Sequence, residues 1–261
     1  MTQSVLSEID AGIGILTLNR PERHNAFDAA VIDELARAIA AMTNDERVRV
    51  VVLSSTGKSF CAGADLDWMR RAASLPAADN LREARELARM LNLLKTCPKP
   101  VIARVQGPAY GGGVGLIACC DIVIATFDAQ FSLSEVKLGL IPATIGPHVI
   151  AAIGERHARR YMLSAERFSA REAYRIGLLH ELVVDAPALD EAIGELTAAL
   201  LGNGPQALAE CKRMIADYAG RALDEELLED SAQRITRLRA GSEGREGMDA
   251  FLQRRPPGWV R

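Results

Sequence analysis

The chain has 261 residues, 49% of them apolar, with 31 basic against 34 acidic side chains and a formal net charge of −3. That is ample apolar material for one large core or two modest ones, while the near-neutral balance and scattered basic residues exclude a nucleic-acid footprint and a polybasic membrane patch. Five cysteines without Cys-x-x-Cys spacing, four dispersed histidines, a start (MTQSVLSEID) without a signal-peptide pattern, and no apolar run of membrane-helix length point to a cytoplasmic, metal-free protein.

Along the chain, IGILTLNRP (13–21) alternates like a half-buried strand, and VRVVVLSS (48–55) is a β-branched run typical of a strand covered on both faces. Between them Asp28 is placed to cap a helix on which Val31, Leu35, Ile39 and Met42 recur at helical spacing. A helix over 80–95, a strand over 99–107, a short apolar helix over 112–120 and a strand over 121–126 follow. From about residue 155 helices dominate: Ser169 with Glu172 forms a capping box closed by Gly177, and 187–202 and 205–220 are each framed by Pro and Gly. Layered α/β structure followed by a helical third is the expected class. No solenoid repeat, low-complexity tract or long linker interrupts it. The amphipathic faces of the helical third exceed what one small bundle buries, so they pack either on the α/β core or on other subunits.

The stretch QGPAYGGGVGLIACCDIVIA (106–125) sets three glycines at a helix entrance, where backbone N–H groups stand uncovered at the positive end of the helix dipole. Together with NRPERHNAF (19–27), FCAGADLDWM (60–69), EVKLGLIP (135–142) and the closing EGMDAFLQRRPPGWV, it resembles, in order and spacing, the motifs of the crotonase superfamily, the enoyl-CoA hydratases and isomerases. The resemblance covers nearly the whole chain and is strongest to bacterial methylglutaconyl-CoA hydratases and related branched, carboxylated enoyl-CoA hydratases. It implies a spiral of repeated ββα units over 1–200 and a helical trimerisation region over 201–261, giving a homotrimer or a dimer of trimers.

By the same resemblance, the backbone amides of Ala64 and Gly112 grip the thioester carbonyl of an acyl-CoA, and Glu135 is the acid/base. Flanking apolar residues would partly desolvate that carboxylate and raise its pKa. Ala62, Ala64, Asp65 and Leu66 are expected to line the coenzyme A channel, with Arg23 near the phosphates and Phe251 closing a site on an adjoining subunit. No separate cofactor is implied, since coenzyme A is part of the substrate. Trp68 and Met69 would roof the acyl chain or pack in the core, and Cys61, Cys119 and Cys120 read as small core residues.

Two departures from the family pattern matter. Typical hydratases carry a second glutamate two residues after the glycine triplet, where this chain has Gly115, expected to leave extra room in the substrate pocket. The family's PGxGGTQ is replaced by PATIGPH (142–148), whose His148 either faces a substrate carboxylate or is structural. Hydratase is the favoured activity; isomerase with Glu135 as a lone proton shuttle is the alternative. An RNA-binding or scaffold relative is more remote, because the chain has no lysine-rich stripe.

Overall fold

A computed structural model describes residues 3–260; Met1, Thr2 and Arg261, which bound the two expected divisions, lie outside them. The hairpin β1 (Val5–Asp10) and β2 (Ile13–Leu18) leads through α1 (Ala29–Asn44) to β3 (Val50–Ser55). Next come α2 (Leu66–Ser74), α3 (Ala77–Lys95), β4 (Val101–Val105), β5 (Ala109–Tyr110) and α4 (Gly112–Cys119). Then follow β6 (Ile122–Thr126), β7 (Gln130–Ser132), α5 (Gly146–Ser164), β8 (Phe168–Ser169), α6 (Ala170–Arg175) and β9 (Glu181–Val183). The helices α7 (Ala186–Leu201), α8 (Pro205–Tyr218), α9 (Glu225–Ala240) and α10 (Ser242–Leu252) close the chain.

The larger sheet has the order β1-β2-β3-β4-β6-β9 and is parallel except for the first hairpin. Leu16, Leu53, Ala103 and Val123 stand in register across four strands and face α1, α3 and α4 in the main core. The alternate residues Val50, Val52, Ile102 and Ile124 point the other way, onto Leu189 and Ile193 of α7. Strands buried on both faces explain the continuous β-branched runs. The smaller sheet pairs β5, β7 and β8 and is extended by bridges between Cys61 and Ala109 and between Phe27 and Ala64. Successive turns therefore add a long strand to one sheet and a short one to the other, which is the spiral the resemblance implies.

Asp28 caps α1 as expected, its Oδ1 accepting from the amides of Ala30 and Val31 at 3.0 Å each. The capping box at Ser169 is half formed. Its hydroxyl accepts from the Glu172 amide at 3.3 Å, but the Glu172 carboxylate takes the Tyr161 hydroxyl and Arg175 instead of returning to the cap. Besides the short strands β5, β7, β8 and β9, the strand β1 and the helix α2 have no counterpart in the sequence reading. The strand β1 buries Val5 and exposes most of the rest, so it carries no apolar alternation. It is held by the Ala11–Gly12 turn, where both residues have positive φ (45° and 89°), as a tight hairpin requires. Helix α2 has no fully buried residue; its short apolar face, Trp68, Met69 and Ala72, lines a cavity.

Among the described residues no helix is long and apolar enough to cross a membrane, and no group of His, Cys, Asp or Glu side chains is placed to hold a metal ion.

Candidate active site

The loop before α2 is shaped by Asn25, which is buried with φ 56°. Its side-chain amide donates to the carbonyls of Thr56 (2.7 Å) and Ser59 (2.8 Å), and its Oδ1 accepts from the Arg20 amide at 2.8 Å. Cys61 donates to the Asn25 carbonyl at 3.1 Å, and its sulfur accepts from the Gly63 amide at 3.4 Å. Burial pushes the Cys61 thiol up to about 12, so it stays protonated and serves as a small core group. Gly63 has φ +85°, and a Cβ there would lie 2.7 Å from the Tyr110 carbonyl oxygen and 3.2 Å from the Gly112 nitrogen. Only glycine lets this loop approach the triplet so closely. The approach brings the neighbouring amides of Ala64 and Gly112 to one place, and among the described residues neither donates a hydrogen bond.

The triplet fits equally tightly. A Cβ on Gly112 would stand 2.2 Å from Cζ of the buried Phe27 ring, and one on Gly113 2.3 Å from the Cys61 carbonyl oxygen. The helix that starts here, α4, is buried from Gly113 to Cys119, so its N-terminal dipole acts without much solvent screening.

Glu135 opens a 3-10 turn (Glu135–Leu138) that ends at Gly139 in the left-handed region. Its Oε1 is 3.0 Å from where a Cβ on Gly111 would be, which sets the carboxylate over the triplet. Its Oε2 is buried and receives no hydrogen bond from the described residues. Burial raises the Glu135 pKa above its ordinary value, against a weaker opposing hydrogen bond from its own amide. An apolar-shielded carboxylate with a free acceptor atom is suited to take and return a proton.

These groups line one cavity of about 500 Å³, shared by Phe27, Ala64, Gly112 and Glu135 with Trp68, Met69, Leu87, Leu140, Thr144 and Ile145. Trp68 and Met69 thus do face the cavity. The room expected at Gly115 is corrected, and the other expected site residues take the following places. Gly115 opens no room: it is buried, and a Cβ there would lie 2.2 Å from Cγ2 and 2.7 Å from Cβ of Ile145. The apolar Ile145 side chain therefore packs onto the position that carries a carboxylate in typical hydratases. The Asp65 side chain is engaged within the loop. It caps α2 through the amides of Asp67 (2.9 Å) and Trp68 (3.4 Å) and pairs with Arg23 at 2.9 Å and Arg20 at 3.4 Å. Burial alone would raise its pKa, but these hydrogen bonds outweigh it and the net shift is downward.

Arg23 is not a free cation, since its Nη1 is held by Asp65 and Asp67 at 2.9 Å each. Leu66 is 69% exposed at the start of α2, and Ala62 is half-buried with its amide on the His24 carbonyl at 2.9 Å. His148 does not line the cavity; it lies on α5, where burial and the charge of Lys95 lower its pKa.

Sequence reading missed four contributors. Phe27 backs Gly112, Ile145 fills the place beside Gly115, and Asn25 shapes the loop. Glu83 of α3 puts a second carboxylate on the cavity wall, where it accepts from the Trp68 indole and from Arg71 at 3.3 Å. The HNAF sequence carried a signal for the first and third; Ile145 and Glu83 meet the site only through tertiary packing.

Residues 8–261 match the family model described as enoyl-CoA hydratase/isomerase. The chain belongs to that family. The crystal structure of an enoyl-CoA hydratase from Shewanella pealeana is 42% identical and superposes with a TM-score of 0.95, covering 98% of this chain and 96% of that one. The 2,3-dehydroadipyl-CoA hydratase of Escherichia coli is 33% identical over 244 residues, 93% of each chain. The 1,2-epoxyphenylacetyl-CoA isomerase of the same organism is 34% identical over 260 residues, 98% of each. Acyl-CoA chemistry of the hydratase/isomerase type is therefore the family setting of this cavity.

Proposed function

We propose that the chain is an enoyl-CoA hydratase that adds water across the α,β double bond of a short, branched enoyl-CoA, of the methylglutaconyl type. The observation that carries the reading is the half-buried Glu135, whose buried Oε2 has no hydrogen-bond partner among the described residues, in the cavity that holds the Ala64 and Gly112 amides. Glu135 accepts a proton from water as its oxygen adds to the β-carbon and then delivers a proton to the α-carbon. The two amides hold the charge that develops on the thioester oxygen, and they need no reorganisation to do so.

The lining supports a compact alkenyl group, being mostly apolar around Leu87, Leu140, Ile141 and Ile145. A carboxylated acyl group rests on the sequence resemblance and on the dehydroadipyl-CoA hydratase among the relatives. Among the described residues no Arg, Lys or His lines the cavity, so such a carboxylate would be solvated by water and the Asn80 and Thr144 side chains.

One observation favours a second reading. Ile145 at Gly115 leaves one carboxylate where two would anchor a water, and one carboxylate suffices to move a proton between the α- and γ-carbons of an unconjugated enoyl-CoA. Turnover in oxygen-18 water separates the two. Hydration of methylglutaconyl-CoA with label in the product supports the hydratase; conversion of an unconjugated enoyl-CoA to its conjugated isomer without label supports the isomerase.

For the region 201–261 we read the exposed Leu223 (79%), Phe251 (82%) and Leu252 (78%) as faces covered by other copies of the chain in a trimer or dimer of trimers. Light scattering at micromolar concentration checks this; a stable monomer contradicts it.

A further inference from the structure

A second cavity, of about 280 Å³, lies on the outer side of α2 and α3. Its walls include Ala29, Ile32 and Ala36 of α1 and Arg82, Glu86 and Arg89 of α3. Among the described residues only Trp68 and Glu83 line both this cavity and the one containing Glu135. The Trp68 indole N–H donates to the Glu83 carboxylate, whose other oxygen accepts from Arg71 at 3.3 Å, and Glu83 is only 18% exposed. On the inner side the Trp68 ring meets Phe27, centroids 6.4 Å apart, and Phe27 is the ring behind Gly112.

We infer that the Trp68–Glu83 pair is a partition that sets the length of acyl chain the cavity accepts, with the outer cavity as the space a longer chain would reach. This rests on the acyl-CoA reading of the inner cavity. A chain growing away from the thioester meets the indole, and passing it means breaking a charge-assisted hydrogen bond in a shielded place. Beyond the indole, Ala29, Ile32 and Ala36 of α1 form an apolar strip beside the charged Asp33, Arg82, Glu86 and Arg89, so a released chain end finds apolar contact along α1. The carboxylate has no role in the proton transfers at Glu135; it positions the indole.

The test measures binding of saturated acyl-CoAs, butyryl-CoA against dodecanoyl-CoA, by calorimetry on the parent, Trp68→Ala and Glu83→Gln. The parent is expected to prefer butyryl-CoA. Trp68→Ala should shift the ratio toward dodecanoyl-CoA by about tenfold or more, the scale on which pocket contacts discriminate chain length. Glu83→Gln keeps the volume and weakens the hydrogen bond, so it should shift the ratio the same way by roughly threefold, and it carries the test if Trp68→Ala does not fold. Binding by the parent with an unchanged length profile in the folded variants would overturn the partition alone. Failure of the parent to bind either acyl-CoA would instead remove the acyl reading beneath it.

Discussion

Two parts of the cavity wall are built on opposite principles. The oxyanion side, residues 63–64 and 111–113, works through backbone amides and tolerates no side-chain growth: added Cβ atoms would meet Tyr110, Phe27 and Cys61 at 2.2–2.7 Å, and Gly111 has φ +48°. The opposite side, α2 and α3, works through side chains, Trp68, Met69, Glu83 and Leu87, on a helix pair of which α2 buries no residue fully. The first side is rigid because close-packed backbone has no alternative arrangement; the second is adjustable because its contacts are side-chain ends. On the proposed function, the oxyanion contacts belong to the first side and substrate choice to the second.

The largest effect should come from breaking the rigid side. Gly112→Ala keeps the amide but forces it away from the Phe27 ring, and turnover should fall on the order of a thousandfold, as when an oxyanion donor is lost. Thermal unfolding should also drop, by roughly 1–3 kcal/mol for overpacking. Adding Phe27→Leu should recover part of both; no loss in the folded single variant would refute the oxyanion assignment.

Glu135→Gln should lower turnover by roughly a hundredfold while leaving acyl-CoA binding close to that of the parent. Because burial raises the folded pKa of Glu135 above its unfolded value, the folded state is favoured with the proton on, and that stability is lost as pH rises through the folded pKa. Glutamine removes the penalty, so at neutral pH the variant should melt higher than the parent, and the two should converge in acid. The acid limb of the parent's kcat/KM profile should lie above the ordinary glutamate range and vanish in the variant. A lower melting temperature for Glu135→Gln at neutral pH would contradict the burial account.

The same contrast explains what the sequence could disclose. Glycines forced by close approach stand in the chain as glycines, so Gly63 and Gly111–Gly113 were readable, as were the β-branched runs of a sheet buried on both faces. Glu135 was readable from EVKLG. Helix α2 was not, because its nine residues give only a short apolar face, Trp68, Met69 and Ala72, that lines the cavity, and the capping and ion-pair role of Asp65 leaves no mark in the sequence that separates it from a channel-lining one. Gly115 misled most: absence of a side chain reads as space, while Ile145, thirty residues later, occupies it.

Gly115→Glu sharpens that point. Alone, its side chain must enter the place of Ile145, and the variant should lose about 1–3 kcal/mol of stability and roughly tenfold or more in activity. Combined with Ile145→Ala it should regain stability and set a second carboxylate beside Glu135, raising the rate on crotonyl-CoA relative to a branched enoyl-CoA. An active, undestabilised single variant would show that the Ile145 contact is not limiting.

The smallest effect should come from Asp65→Asn, on the adjustable side. Asparagine still caps α2, so the helix start survives, but the pairing of Asp65 with Arg23 and Arg20 is lost. The expected cost is about 1 kcal/mol at neutral pH, where the parent carboxylate is ionised. Since the folded pKa of Asp65 is depressed, its contribution is present above the unfolded aspartate pKa and is lost as pH falls through the folded one, so parent and variant should melt together in acid. Activity at Glu135 should change by less than roughly threefold, because Asp65 holds α2 and the Trp68 wall, while the donors at Ala64 and Gly112 are set by backbone packing. A change in the chain-length profile of acyl-CoA binding larger than the change in kcat would locate the effect in α2. A collapse of kcat with an unchanged profile would mean that the two sides of the cavity are coupled through the Asp65 loop, and the division between chemistry and substrate choice would fail.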